Sequence, residues 1–381
     1  MKKSLIALAV LAASGAAMAQ SSVTLFGIID AGVGYVKNEG GGHSTGLISG
    51  GNSTSRLGFR GTEDLGGGLA ASFWLEGALN NDVGNGASQT SGLDFNRRST
   101  ISLSGTFGEV RLGRDFAATY LPLLAYDPFG QRGLGTIETV GVAGSGTTGL
   151  NGTTRVSNSI AYFLPATLGG FYGNVQYAFG ERNSNQTAVV NAAGISGTAA
   201  AATTDKTGNF LGARLGFANG PLDVSGSLGV FQDAVRATGV GATAYADDYK
   251  IANLGASYDF GVVKPMVVVQ SEKIDGRTGV PEFKLNTYSI GATAPLGAGL
   301  LRAGVSRYDV KDSNNDANKF AIGYVYNLSK RTAVYADIAR INNKGSSTYT
   351  FNGLGGSLGG AVAPTAGNNA TGVAVGVKHA F

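Results

Sequence analysis

The chain has no cysteine among its 381 residues. A disulfide framework and a thiolate metal site are both excluded. Histidine is nearly absent too. His43 and His379 are the two present, and neither has a Ser–Asp pair nearby that would make a hydrolase triad. Charge is scarce: 14% of residues are Asp, Glu, Lys or Arg, where soluble domains carry about 25%. After the first twenty residues no run of eighteen apolar residues occurs, which argues against membrane-spanning helices. The runs "GGG" (40–42) and "GGSLGG" (355–360) lack the GK[ST] ending of a phosphate loop. No enzyme, metal site or cofactor is therefore expected.

What the chain does have is glycine, 62 residues of it, with 43% hydrophobic residues and 33 Phe plus Tyr. That aromatic and apolar content speaks against disorder. The N-terminus "MKKSLIALAVLAASGAAMAQ" has the form of a secretory signal, with Lys2 and Lys3, a short apolar core and an Ala17-Met18-Ala19 cleavage site. We expect residues 1–19 to be removed and residues 20–381 to form one exported domain. Without Lys2 and Lys3 the basic count falls from 29 to 27 against 25 acidic residues, a net +2. That is no surplus for binding nucleic acid.

Hydrophobicity alternates with period two along most of the chain. Val224, Gly226, Leu228 and Val230 alternate with Asp223, Ser225, Ser227 and Gly229; Val373, Val375, Val377, His379 and Phe381 alternate with Gly372, Ala374, Gly376 and Lys378. Such runs are strands with one apolar and one polar face. Short turns are read at 64–68, 106–109, 165–170, 218–221, 259–262, 295–299 and 327–330. Long polar segments are read near 38–52, 81–94, 115–153, 182–207, 233–247, 273–282, 311–318 and 343–369. Short and long alternate, and seven short with eight long connections join sixteen strands. Even strand number, short turns at one end and long loops at the other are the signature of an outer-membrane barrel. Closing the sheet satisfies every backbone group in lipid. At sixteen strands the barrel leaves an aqueous channel. The expected fold is all-β, an antiparallel sixteen-stranded up-and-down barrel. Phe26, Tyr35, Phe73, Phe107, Tyr162, Phe163, Phe171, Tyr258, Phe260 and Phe381 sit near inferred strand ends, where aromatic girdles lie.

A pore selects by its width and by the charges at its narrowest point. Strand parity indicates which charges face the lumen. Leu57 and Phe59 facing lipid turn Arg56 and Arg60 inward. Phe73 and Leu75 do the same for Glu76, and Val156, Ile160 and Tyr162 for Arg155. In 96–105, parity favours Arg98 and leaves Arg97 outside.

The stretches "SSVTLFGIIDAGVGY" (21–35), "SRLGFRGTEDLGGGLAASFWLEG" (55–77), "GEVRLGRD" (108–115), "RVSNSIAYFLP" (155–165) and "GVKHAF" (376–381) resemble those of the trimeric general-diffusion porins of Gram-negative bacteria. The resemblance is to the anion-preferring, beta-proteobacterial branch in particular, and it covers the mature chain end to end. It implies a homotrimer of separate pores in the outer membrane, among its lipid and lipopolysaccharide. It also implies a third external loop, here 115–153, folded inward to narrow the lumen. Arg56, Arg97 and Arg155 match the family's basic wall positions, and Asp127 matches an acidic position on the infolded loop. Motif matching thus prefers Arg97 where parity prefers Arg98. Phe381 resembles the terminal signal read by the outer-membrane assembly machinery. Arg60, Arg111 and Arg114 are expected to form wall salt bridges.

The stretch "YLPLLAYDPFG" (120–130) is too apolar for a loop in external water. Its apolar side should anchor it to the wall, leaving Asp127 to face the arginines. Counting three wall arginines against one well-placed Asp predicts a passive channel for ions and small hydrophilic solutes with weak anion preference. A substrate-specific channel of the same fold would show an aromatic slide along the lumen. A plugged barrel serving as an adhesin would need a plug domain. Neither feature is visible in the sequence.

Overall fold

In the computed structural model, residues 22–86, 92–137, 154–181, 187–190, 199–202, 204–237, 244–275, 282–351 and 363–381 are described. The expected signal segment lies outside them. The strands in chain order are β1 (Ser22–Asn38), β2 (Gly42–Ser49), β3 (Arg56–Gly66), β4 (Leu69–Asn80), β5 (Asn85–Gly86), β6 (Arg98–Gly105), β7 (Gly108–Phe116), β8 (Arg155–Phe163), β9 (Phe171–Ala178), β10 (Thr187–Val190), β11 (Ala199–Ala202), β12 (Phe210–Asn219), β13 (Leu222–Ala237), β14 (Ala244–Tyr258), β15 (Lys264–Ile274), β16 (Phe283–Leu296), β17 (Gly299–Val310), β18 (Ala317–Asn327), β19 (Thr332–Asn343) and β20 (Ala370–Ala380). One helix, α1 (Leu121–Tyr126), lies between β7 and β8.

Neighbouring strands pair antiparallel, and β20 returns to β1, so the sheet closes on itself. β2 and β3 share one position: the outer half of β1 pairs with β2 and its inner half with β3. Counted as one, and with the two-residue β5 and the separate β10–β11 hairpin set aside, they bring the closed barrel to sixteen strands. All seven predicted short turns are present. At the first of them Gly66, Gly67 and Gly68 all have positive φ, a backbone that other residues adopt at a cost.

The first long connection is not a loop. Residues 42–49 are strand, and the chain reverses in a tight turn at Gly40 and Gly42, φ 79° and 94°. The glycine- and serine-rich composition that suggested a loop runs through this strand and into a detour at 50–55 between β2 and β3. Asp30 holds that detour by accepting the N–H groups of Asn52 and Ser53.

The two faces differ as strand parity requires. Outward lie Leu215, Leu228, Leu254, Ile290, Ile322 and Val375, each at least 49% exposed. Inward lie Gln176, Ser227, Asn253, Ser306 and Asp337, each at most 7% exposed. A contiguous apolar exterior of this size has no place in water and matches hydrocarbon. No helix among the described residues is long and apolar enough to cross a membrane; the strands do so. Two aromatics expected in the girdles point inward. Phe26 packs edge-on against Trp74, and Phe163 lies under Arg111.

Candidate functional site: a basic wall facing an infolded loop

Arg56, Glu76, Arg97, Arg98 and Arg155 come together on β3, β4, β6 and β8. Glu76 and Arg98 are cross-strand partners, so both share the lumen face. Arg97 precedes β6 and is freed from strand parity. Its Nε binds Glu76 Oε1 at 2.5 Å, while Arg56 Nη1 reaches the same oxygen at 3.3 Å. Both arginines left open by the sequence therefore reach the lumen side. Arg98 lies 4.7 Å from the Trp74 ring centroid and 3.5 Å from Asp115. Trp74 Nε1 donates to the second Glu76 oxygen at 3.1 Å.

Arg155 reaches the cluster by another route. Its Nε donates to the Arg97 carbonyl at 2.7 Å, and its guanidinium lies 4.2 Å from the centroid of Phe116. Val156, expected outward, is buried against the loop. A register shift at Gly113/Asp115 and the left-handed Asn158, φ 55°, reverse the parity of the first residues of β8.

Of the three arginines assigned to wall salt bridges, Arg111 fills the role with Glu109 at 2.8 Å and Asp115 at 2.6 Å. Arg114 instead binds the Asn96 carbonyl and Ser157. Arg60 has no carboxylate within salt-bridge distance among the described residues. It lies over the Phe26 and Trp74 rings at 5.3 and 5.1 Å.

The segment 117–137 crosses the lumen, as the loop reading requires. Pro122 lies in the first turn of α1, and Asp127, in an extended conformation, ends it. The apolar side packs on the wall. Tyr120, Leu123, Tyr126 and Ile137 cluster with Met266 and Val268, and Phe129 and Leu134 with Ala321, Ala339 and Ala374. Main-chain groups of the loop are held by wall side chains. Asn253 Nδ2 donates to the Thr119 carbonyl at 2.7 Å and Tyr308 Oη to that of Ile137 at 2.6 Å; Lys319 Nζ donates to the Thr136 carbonyl.

Asp127 does not face the arginines. It is 4% exposed. Its carboxylate accepts the N–H groups of Phe129 and Gln131 at 2.9 Å and that of Ile137 at 3.1 Å. Burial raises its carboxyl above the ordinary range, against the pull of these three donors. The side chain holds the loop together: Gly130, Gln131 and Gly133 all have positive φ, and such a turn persists only when its surroundings fix it. The charge the loop presents is Arg132, which strand parity and motif matching both passed over. It lies near enough to Arg97 and Arg155 for the like charges to repel. Its signal was available in "FGQRGLG", a cation carried on a glycine-flanked turn.

A family model for Gram-negative porins matches residues 5–346. The chain belongs to the Gram-negative porin family. It is 46% identical to outer membrane porin protein 32 of Delftia acidovorans over the full length of both chains. To an outer membrane porin protein of Bordetella pertussis it is 36% identical, over 88% of this chain and 93% of that one. Among solved structures, the anion-selective porin from Comamonas acidovorans superposes with a TM-score of 0.78 at 41% identity, covering 95% of this chain and 100% of that one. The protein is thus an outer-membrane porin, a passive diffusion channel.

Proposed function

We propose that this porin prefers small anions and anionic solutes. The constriction lies between the Arg56–Glu76–Arg97–Arg155 wall and the loop 117–137, with Arg98 lining its flank. The observation that carries the reading is the charge balance. Arg56 and Arg97 share the single Glu76 carboxylate, Arg155 binds a carbonyl, and Arg132 adds a cation from the loop. Asp127, the acid expected to oppose them, spends its oxygens inside the loop. Counting charges in this way favours a firmer anion preference than one Asp set against three arginines would give. The similar Comamonas acidovorans porin is named anion-selective, which supports the reading.

The test is the reversal potential of the reconstituted protein in a KCl gradient. A sign favouring chloride supports the proposal, and a sign favouring potassium rejects it. Large ohmic steps belong to a general pore, whereas small steps blocked by sugars would indicate a substrate-specific channel.

Assembly as a homotrimer among lipid and lipopolysaccharide belongs to the same proposal, as does recognition of Phe381 by the assembly machinery. Phe381 exchanges main-chain hydrogen bonds with Gly27 at 3.1 Å across the β1–β20 seam and is 45% exposed. The signal residue therefore also closes the barrel. A ladder of three cross-linked species tests the trimer.

A further inference from the structure

We infer that a track of inward-facing glycines on the wall opposite the arginines sets the width of the pore, because the infolded loop rests directly on it. The inference rests on the constriction proposed above. Following the loop from Ala118 to Leu134, its side chains land in turn on Gly212 of β12, Gly229 of β13, Gly255 of β14, Gly291 of β16, Gly304 of β17 and Gly372 of β20. The order along the loop is the order round the barrel. A Cβ on Gly229 would lie 2.6 Å from Thr119 Cγ2, one on Gly291 2.5 Å from Pro128 Cγ, and one on Gly372 2.6 Å from Leu134 Cδ2. At Gly255 the three nearest atoms all belong to the Tyr126 ring, with Cε2 at 2.8 Å.

Carbon atoms settle near 3.5–4.0 Å, so a methyl at Gly229, Gly255, Gly291 or Gly372 would move the loop by roughly 1 Å or more. A Cβ on Gly212 or Gly304 would lie 3.4 or 4.0 Å from Ala118 and Phe129 respectively, in ordinary contact. The direction is fixed. The wall is a hydrogen-bonded sheet that cannot retreat, so the loop must yield against the bonds that tie the Tyr126 hydroxyl to Ser225 and Asp223 on that wall. The loop can move only into the lumen, towards Arg97 and Arg155. On the outward face of β13, which the loop does not reach, Gly226 carries no such load. A Cβ on Gly226 meets Asn253 O at 3.2 Å and Leu254 Cδ1 at 3.4 Å, with no loop atom among its neighbours. Glycine weakens a strand and is retained where another backbone or side chain approaches closely; here the approaching group is the constriction itself.

The experiment uses the full-length assembled porin in planar bilayers and in liposome swelling with a pentose and a disaccharide. Gly255→Ala and Gly372→Ala should each lower single-channel conductance by about a third and slow the disaccharide more than the pentose, as expected for a narrower bore. Gly226→Ala should match the parent. Adding Tyr126→Ala to Gly255→Ala removes the ring that collides and should restore conductance. Parent conductance in both folded alanine variants, an equal loss in Gly226→Ala, or no rescue in the double variant would each overturn the inference. Should neither glycine variant assemble, Tyr126→Ala and Leu134→Ala shorten the same contacts from the loop side and must raise conductance; parent values there would overturn it too. A potassium-selective parent with these conductance changes intact would reject the proposed selectivity and leave this inference standing.

Discussion

The two sides of the lumen are built by opposite means. On β3, β4, β6 and β8 the wall projects long charged side chains, and one carboxylate, Glu76, is shared between Arg56 and Arg97. From β12 round to β20 the wall beneath the loop carries glycine at several points of contact, among larger residues such as Met266 and Val268, and the loop supplies the bulk. On the two proposals above, the first side sets the sign of the field and the second sets the bore. Selectivity and width should therefore respond to different substitutions.

The largest break in that comparison is Arg97→Glu. It reverses a charge in the tightest part of the cluster and places two carboxylates together. A unit charge a few ångströms from a permeating ion is worth about 1 kcal/mol or more at intermediate dielectric. The chloride-to-potassium permeability ratio, read from reversal potentials, should fall at least fivefold or so by that figure, with conductance changing far less.

Next is Asp127→Ala. It strands three N–H groups, and each buried donor left unpaired costs about 1–3 kcal/mol. The loop should lose its fixed path, giving noisy, flickering single-channel records and a lower unfolding temperature.

A smaller effect is expected for Glu76→Gln. Loss of the one acid in the cluster should raise anion preference about twofold. It also leaves Arg97 buried without a counter-charge, so heat-modifiable gel mobility should show the folded band lost at lower temperature. The smallest is Arg60→Gln, whose guanidinium lies on two aromatic rings. Partly exposed cation–π contacts of this kind contribute about 0.5–1 kcal/mol, so folded stability by thermal gel shift should drop slightly and the bore should stay the same.

Much of the barrel was legible because its rule is simple. Alternation placed Arg56 and Glu76 inward, and the short turns, six of them with glycine, placed seven strand reversals. The failures occur where something other than parity acts. Residues 42–49 look like a loop by composition, yet they pair with β1 because Gly40 permits a tight turn. Val156 defeated parity because a bulge intervenes, and Arg97 because it stands before its strand. Phe26 was read as a girdle ring and is a lumen ring that carries Arg60.

Asp127 is the most instructive case. In "YDPFGQRG" an Asp stands ahead of a proline and two glycines, the composition in which an Asp side chain caps its own turn. That local chemistry outweighs the appeal of a carboxylate opposite arginines, because the turn's N–H groups are already beside it. The glycine track was hidden for a different reason. A strand glycine in a glycine-rich chain looks ordinary until the partner pressed against it is known.

The central claim is that the arginine wall, and not Asp127, decides which ions pass. The reversal potential of Asp127→Asn, compared with the parent in the same KCl gradient, tests it most directly. The amide removes the charge and keeps one accepting oxygen, which can still serve Gln131 and Ile137 while the Phe129 N–H loses its partner. The account predicts the parent's reversal potential. A marked shift towards chloride would place the Asp127 charge in the conduction path and contradict it.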